Sequence, residues 1–325
     1  MTDNNDKLIE MTQQTALKSI TVPTLGASIL QPGYRNQFII EATRNQSILN
    51  DARRVLMMSH IENIDRTGFT TRVMEPATEN VAPTGTDPSF AQEKLMADEY
   101  IAMTGITDKS LRRNIQKGGF GSTLVSMLST KFGEDWESLC VFGDTSKYTA
   151  GSLLKSKDGW VKKCTNKLYG KGTGKDFDGT ANITTMLQTM IKTYPKNYLK
   201  NRGNLRFYLN SDQFDAYIDE VGLRPTIAGD EAVSKFVARP YKGIPVMEAP
   251  VLNDSEGIDT TNGYGQTALL QDPNNMIYGI FYQITMESDR IPKQRRTDYI
   301  MTTEVDQGFE NPNVGVVAFS EGTKA

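Results

Sequence analysis

Lys167 to Gly179 reads KLYGKGTGKDFDG, a glycine- and lysine-rich run with a Gly174-Lys175 pair. Those residue types can cradle a phosphate. A nucleotide-binding loop needs G-x-x-x-x-G-K-[ST], because backbone N–H groups wrap the phosphates and a hydroxyl meets magnesium. Five residues before Gly174 stands Tyr169 rather than glycine, and Asp176 follows Lys175 where the hydroxyl belongs. A carboxylate there repels phosphate. The preceding GWVKKCTNKLY is lysine-rich and does not read as an apolar strand, while DFDGTAN delays any helix. The stretch reads as a solvated, flexible loop, and a nucleotide-binding enzyme using Gly174 and Lys175 stays a remote alternative.

The other candidates for chemistry are sparse. His60, in VLMMSHIENI, is the one histidine, and a lone histidine there reads as packing or surface. Neither G-x-S-x-G nor H-E-x-x-H occurs. Glu134, Asp135 and Glu137 lie in GEDWE and read as the outer face of a helix. Cys140 and Cys164 make no metal motif, and a disulfide between them is not expected in a reducing compartment. No catalytic residue, cofactor or metal is expected, and the chain reads as a non-enzyme.

Between Lys147 and Lys171 seven lysines stand against Asp158 alone, a local +6. Lys155, Lys157, Lys162, Lys163, Lys167 and Lys171 are the candidate surface basic loop. A DNA-binding module could use them, but the whole chain carries only −3, which argues against a dedicated nucleic-acid binder. At 325 residues the chain makes one large domain or two ordinary ones. No apolar run approaches the ~18 residues of a membrane helix. The opening MTDNNDKLIEMTQQ is polar, without a secretory signal, so a cytoplasmic product is expected.

The elements that must position these residues follow from the patterning. Residues 1–35 are polar and aperiodic and read as an extended arm. From Asn36 to about His60 the apolar residues recur at helical spacing. Residues 63–74 alternate like a strand. Glu75 to Ser89, EPATENVAPTGTDPS, holds three prolines and reads as a polar tip. A second extended run, 90–106, returns from it, so a protruding two-stranded arm is expected. Such a ribbon is marginal in water and needs something to lie on.

A long helix follows, with an apolar stripe of Phe120, Leu124, Met127, Leu128, Phe132, Trp136, Leu139 and Cys140, ending at Gly143. The opposite face carries Ser122, Ser126, Thr130, Glu134 and Glu137. A helix over 180–195, capped by Thr180 or Asn182, then precedes strand LRFYLN, helix SDQFDAYIDEVG and strand YKGIPVMEAPVL. The chain closes in antiparallel strands with turns at 272–275 and 307–313. The class is α+β.

This order of elements resembles the major capsid proteins of tailed bacteriophages, the Hong Kong 97 fold. SILNDARRVLMMSHIENIDRTGFTTRV looks like the lead into the family's E-loop, and FAQEKLMADEYIAMTGITDKSLRRN like the returning strand. STLVSMLSTKFGEDWESLCVFGDTS resembles the spine helix with its Gly-Asp ending. LRFYLNSDQFDAYI resembles a strand–helix step of the A-domain, YKGIPVMEAPVLND its Gly-x-Pro-Val strand, and EVDQGFENPNVGVVAF the last P-domain hairpin. The resemblance runs from about Asn45 to Phe319 and rests on the ordered set, since no one motif is specific.

It implies a structural protein that assembles as hexamers and pentamers into an icosahedral shell around double-stranded DNA. The domains would be N-arm and helix 1–60, E-loop ribbon 61–99, P-domain with spine helix 100–145, A-domain 146–261 and closing P-domain strands 262–325. The tip residues Glu75, Pro76, Glu79, Pro83, Asp87 and Pro88 would lie on a neighbouring subunit, and Phe120, Leu124, Leu128, Phe132 and Trp136 would form the spine core. The implied partners are further copies of the chain, a scaffolding protein, a portal protein, a decoration protein and weakly held DNA, with no membrane. Assembly would take place in the host bacterial cytoplasm. The tip has no lysine, Lys94 being nearest, so no covalent crosslinking of the kind some members make is expected. The short arm implies a separate scaffold or none. An encapsulin-like cargo compartment of the same fold is the alternative.

Overall fold

The computed structural model describes residues 47–69, 72–77, 79, 82, 85–109, 120–223, 240–254 and 266–323, with the side chains of 120–124 and 323 excepted. The expected arm, 1–35, lies outside them. Two compact units emerge, and β-strands β9 and β10 (Met276–Ile291 and Arg296–Phe309) contribute residues to both.

The first unit combines Glu99–Ser129 with Gln283–Thr303. Strand β4 (Asp98–Thr107) is the edge of the sheet ordered β1-β9-β10-β4, where β1 is Arg53–Leu56. A turn at 292–295 joins β9 to β10. Its Arg295 carbonyl accepts the Asp108 N–H at 2.8 Å, and Arg290 holds the Asp108 carboxylate with both guanidinium nitrogens. Asp298 is buried and takes Arg296 Nη2 at 2.7 Å.

The second unit is built on the five-stranded sheet β5-β11-β8-β6-β7, formed by Asn166–Lys171, Val316–Thr323, Thr267–Gln271, Arg206–Leu209 and Val246–Glu248. β11 runs parallel to β5 and antiparallel to β8, and β6 runs antiparallel to β8 and parallel to β7. Helices α4 (Ile183–Thr193) and α5 (Ser211–Gly222) cover it. Ile183, Met186, Leu187, Met190 and Ile191 recur at helical spacing and are all buried. They share one core with Phe207, Leu209, Phe214, Ile218, Leu270 and Val316. Every residue of β8 is buried, as expected of a strand covered on both faces.

Three sequence expectations change. The helix foreseen from 36 to 60 is, over the described part, a short helix α1 (Ser47–Asp51) followed by strand β1. Val55 and Leu56 satisfy a helical spacing, but β1 pairs parallel with β9, Arg53 opposite Ile277. The closing strands do not stay together: β8 and β11 enter the sheet with β5 and β6, because their burial requires cover on both faces. Asn182, one of the two residues expected, holds the N-cap position of α4, but its side chain makes no capping hydrogen bond. Glu220 of α5 accepts the Ile183 and Thr184 N–H groups instead, the latter at 3.1 Å.

The long helix α2 (Phe120–Phe142) ends at Gly143 as the sequence foretold. Its burial, though, is concentrated in the last three turns. Met127 is exposed, Leu128 and Phe132 are half-buried, and Trp136, Leu139 and Cys140 are buried. Glu137, assigned to the outer face, is 3% exposed. Its Oε1 accepts the Ile48 and Leu49 N–H groups at 2.7 and 3.1 Å, so it caps α1, whose first amides have no partner within the helix. Both cysteines are buried free thiols.

Candidate interaction surfaces

Strands β2 (Ile61–Gly68) and β3 (Ser89–Met96) pair only with each other, Ile61 opposite Met96 through Gly68 opposite Ser89. Alternation splits the ribbon into two faces. Glu62, Ile64 and Arg66 face the same way as Leu95, Glu93 and Ala91 and are at least half-buried. Asn63, Asp65, Thr67, Phe90, Gln92 and Lys94 are exposed. Beyond the pairing, residues 72–77 are exposed without helix or strand. Glu75, Pro76, Glu79, Asp87 and Pro88 are exposed there, and Pro83 lies outside the described residues. Large apolar side chains stand in solvent along this arm, among them Phe69 and Val73, and most of all Phe90 at 75% and Met74 at 92% exposure. A two-stranded ribbon carrying them has no layer to bury them among the described residues.

The ribbon root is fixed at several points. Leu95 and Ala97 are buried with Met57 and Ile277. Gly279 and Gly308 make that room: a Cβ on either would stand 3.2 and 3.1 Å from Leu95 methyls. Asp306 Oδ2 accepts the Met96 N–H at 2.5 Å, and Ala97 N–H donates to the His60 carbonyl at 2.9 Å. Lys157 lies 3.2 Å from both Asp98 and Asp306 and donates to the Met96 carbonyl. His60 is half-exposed, 3.6 Å from Glu304 and edge-on to Phe281. Further out, Arg66 donates to the Glu310 carbonyl at 3.3 Å.

The lysine run is not a loop. It folds as a 3-10 turn (Leu153–Lys155), helix α3 (Trp160–Lys163) and β5. Trp160 is fully buried and donates to the Gly308 carbonyl at 2.9 Å. Several of the cations have partners. Lys162 meets Asp144 at 3.2 Å, Lys171 meets Glu321 at 3.8 Å, and Lys163 donates to the Gln307 carbonyl. Burial lowers the Lys163 pKa, with Asp306 opposing. Lys167 donates to the Lys162 carbonyl at 3.1 Å, while Lys155 is half-buried at the end of its turn. The +6 read from the sequence is therefore partly neutralised by acids remote in the chain.

The glycine-lysine stretch departs from the sequence reading in one respect: a strand, β5, does enter it. It still lacks the geometry of a phosphate cradle. Asp176 folds back so that its carboxylate and N–H both engage Tyr169, at 3.1 and 3.0 Å. Lys175 pairs with Asp178 at 3.1 Å, and α4 begins only at Ile183. The Tyr169, Asp176 and Gly179 amides are thus not free to hold a phosphate.

Lys157, Asp306 and Glu137 were not singled out from sequence as positioning residues. The helical patterning sets Glu137 on the polar face of its helix and gives no signal of its burial.

No protein-family model matches the chain. The prophage capsid protein YqbE of Bacillus subtilis (strain 168) is 30% identical over 301 residues, covering 90% of this chain and 92% of that protein. Among solved structures, a chain of Gordonia phage Cozz matches with TM-score 0.61 at 11% identity, covering 86% of each chain. A chain of the satellite phage P4 procapsid that includes the size determination (Sid) protein matches with TM-score 0.57 at 13% identity, covering 89% of this chain and 99% of that one. The mature capsid of bacteriophage PhiM1 gives TM-score 0.57 at 8% identity, covering 86% and 87%. At such identities the structures speak for the fold.

Proposed function

Since the chain belongs to the major capsid protein family of tailed bacteriophages, with its Hong Kong 97-like fold, we propose that copies of it close as hexamers and pentamers into an icosahedral shell around double-stranded DNA. The observation that carries this reading is the β2–β3 ribbon. It is pinned at its root by Lys157, Asp306 and the packing of Leu95 against Met57 and Ile277, yet it presents Phe90 and Met74 to solvent. A neighbouring subunit supplies the missing layer. Contacts of ~1,200–2,000 Å² at several such places hold each subunit firmly.

In this reading the tip around Glu75, Pro76, Pro83 and Pro88 lies on a neighbour without a covalent link. A scaffolding protein guides closure, a portal occupies one vertex, and a decoration protein binds the finished surface. Assembly takes place in the host bacterial cytoplasm, and the protein acts as a structural component rather than an enzyme. The partial pairing of the lysine run fits a shell that holds its DNA only weakly, since unpaired cations bind phosphates tightly.

The test is light-scattering mass and negative-stain microscopy of the expressed protein, alone and with a co-expressed scaffold. Rings or closed particles are expected from the unaltered chain. Phe90→Asp with Met74→Asp should abolish them while leaving the unfolding transition in place. A protein that stays monomeric under every condition overturns the reading.

A further inference from the structure

Between Asp178 and Asp212 the chain carries no acid and five cations: Lys192, Lys196, Lys200, Arg202 and Arg206. Arg206 is taken by Asp51 at 2.6 Å. The other four are exposed, and none forms an ion pair among the described residues. Lys192 stands in the last turn of α4, where a cation meets the negative end of the helix. That accounts for one charge only. Lys196, Lys200 and Arg202 lie in the 3-10 segment Lys196–Asn204, which kinks at Asn201. Arg202 Nη1 donates to the Lys242 carbonyl at 3.2 Å and so brings a fifth cation beside them. Lys242 is exposed, its ammonium 5.4 Å from the Tyr241 ring centroid, and it too lacks an acid partner among the described residues. In the lysine run, by contrast, Lys157, Lys162 and Lys171 each face a carboxylate and Lys163 donates to a carbonyl.

The groups around these cations are hydrogen-bond donors. Asn197, Asn201 and Asn204 are exposed on the same segment. Tyr198, at 51%, is the one large apolar or aromatic side chain that the segment exposes. Protein partners are held by a buried aromatic or aliphatic centre, which this patch lacks. A phosphodiester backbone needs only cations, amides and hydroxyls. A duplex offers one charge per ~1.7 Å of its axis, so cations on a kinked turn meet phosphates without a fixed register. Carboxylates in the adjoining cleft do not cancel the patch. Glu310 is held by Arg53 at 2.8 Å, and Asp272 accepts the Asn274 N–H at 3.0 Å, with Arg66 beside them.

We propose that Lys196, Lys200 and Arg202, with Lys192 before them in the chain and Lys242 beside Arg202, form the surface through which the subunit touches the phosphate backbone of double-stranded DNA. The contact reads no base sequence. The identity of the polyanion rests on the shell reading above, whereas the unpaired charge does not. Five cations per subunit hold a duplex only in the weak range, roughly 10⁻⁴–10⁻⁶ M at physiological salt, so the DNA can still leave.

The test is fluorescence anisotropy of a labelled, mixed-sequence DNA duplex with the purified full-length protein. Binding should weaken about 40- to 500-fold between about 50 and 200 mM salt, the range for three to five neutralised phosphates. Lys196→Gln with Lys200→Gln should lower the slope of log K against log salt by about two. Lys196→Arg with Lys200→Arg should keep it, and so should Lys155→Gln with Lys171→Gln in the lysine run. All these side chains are at the surface or half-buried, so every variant should melt at the wild-type temperature. The proposal is overturned if the unaltered protein shows no salt-dependent binding, if the Lys196 and Lys200 glutamine pair leaves the slope unchanged, or if the lysine-run pair loses more. It is overturned equally if poly-glutamate displaces the duplex at equal charge concentration, which would mark an acidic protein as the partner. Microscopy of the same samples reads particle formation separately: missing particles count against the shell, and missing duplex binding counts against this surface.

Discussion

The Lys157 ammonium lies 3.2 Å from Asp306 Oδ1, with both side chains largely buried, 61 residues in sequence from the Met96 carbonyl that the same ammonium also engages. This joins the root of the ribbon to β10 and to the lysine run at one point. Removing one member of a buried pair leaves the other's charge uncompensated. Lys157→Met should therefore cost ~3 kcal/mol in urea unfolding. Amide exchange at Met96 and Ala97 should rise by more than exchange in α4. An unchanged midpoint would show that the pair is screened by solvent and does not hold the ribbon.

Gly170 and Gly179 both back onto the Ser320 carbonyl, at the register shift in β11 between Phe319 and Thr323. A Cβ on Gly179 would stand 1.9 Å from that oxygen, and one on Gly170 2.2 Å. Backbone meets backbone there, so no rotamer relieves the clash. Gly179→Ala should lose ~2–3 kcal/mol or more. The double alanine variant should lose less than the sum, because both act on one carbonyl. Thermal unfolding of the three variants measures this.

Burial raises the pKa of Glu137 above the ordinary carboxylate value, while the α1 amides pull it partly back. In the unfolded chain this group releases its proton at lower pH than in the folded one. Between those two pKa values the folded state binds more protons, so its contribution to stability falls as pH rises. Glu137→Gln keeps an acceptor for Ile48 and Leu49 but cannot titrate. The stability of this variant relative to wild type should improve as pH rises above the ordinary carboxylate pKa and level off once the folded-state carboxyl has ionised, in chemical denaturation. A difference independent of pH would refute the shift.

Lys175 is committed to Asp178 and the Tyr169 amide to Asp176. Millimolar ATP with magnesium should leave the melting temperature unchanged, equally in wild type and Lys175→Ala. A rise in wild type that Lys175→Ala removes would revive the nucleotide reading.

The sequence by itself determined the elements whose patterning is local. Ile183, Met186, Leu187, Met190 and Ile191 announce α4 because one helix face must be apolar to pack. Gly143 marks the end of α2, and the prolines of 75–89 separate two strands that can pair only with each other. The ordered set of these elements was enough to place the chain in its family.

What only the tertiary structure decided involves partners distant in sequence. The spacing of Val55 and Leu56 fits a helix, but pairing with β9 makes them a strand. Glu137 looks like a solvated residue until the amides of α1 arrive, 88 and 89 residues earlier, to share its carboxylate. Lys157 and Lys162 read as free charge until Asp98, Asp306 and Asp144 are brought beside them. Hydrogen bonds and ion pairs act over a few ångströms in space, whatever the separation along the chain. Periodicity records which face is buried, but it does not record what buries it.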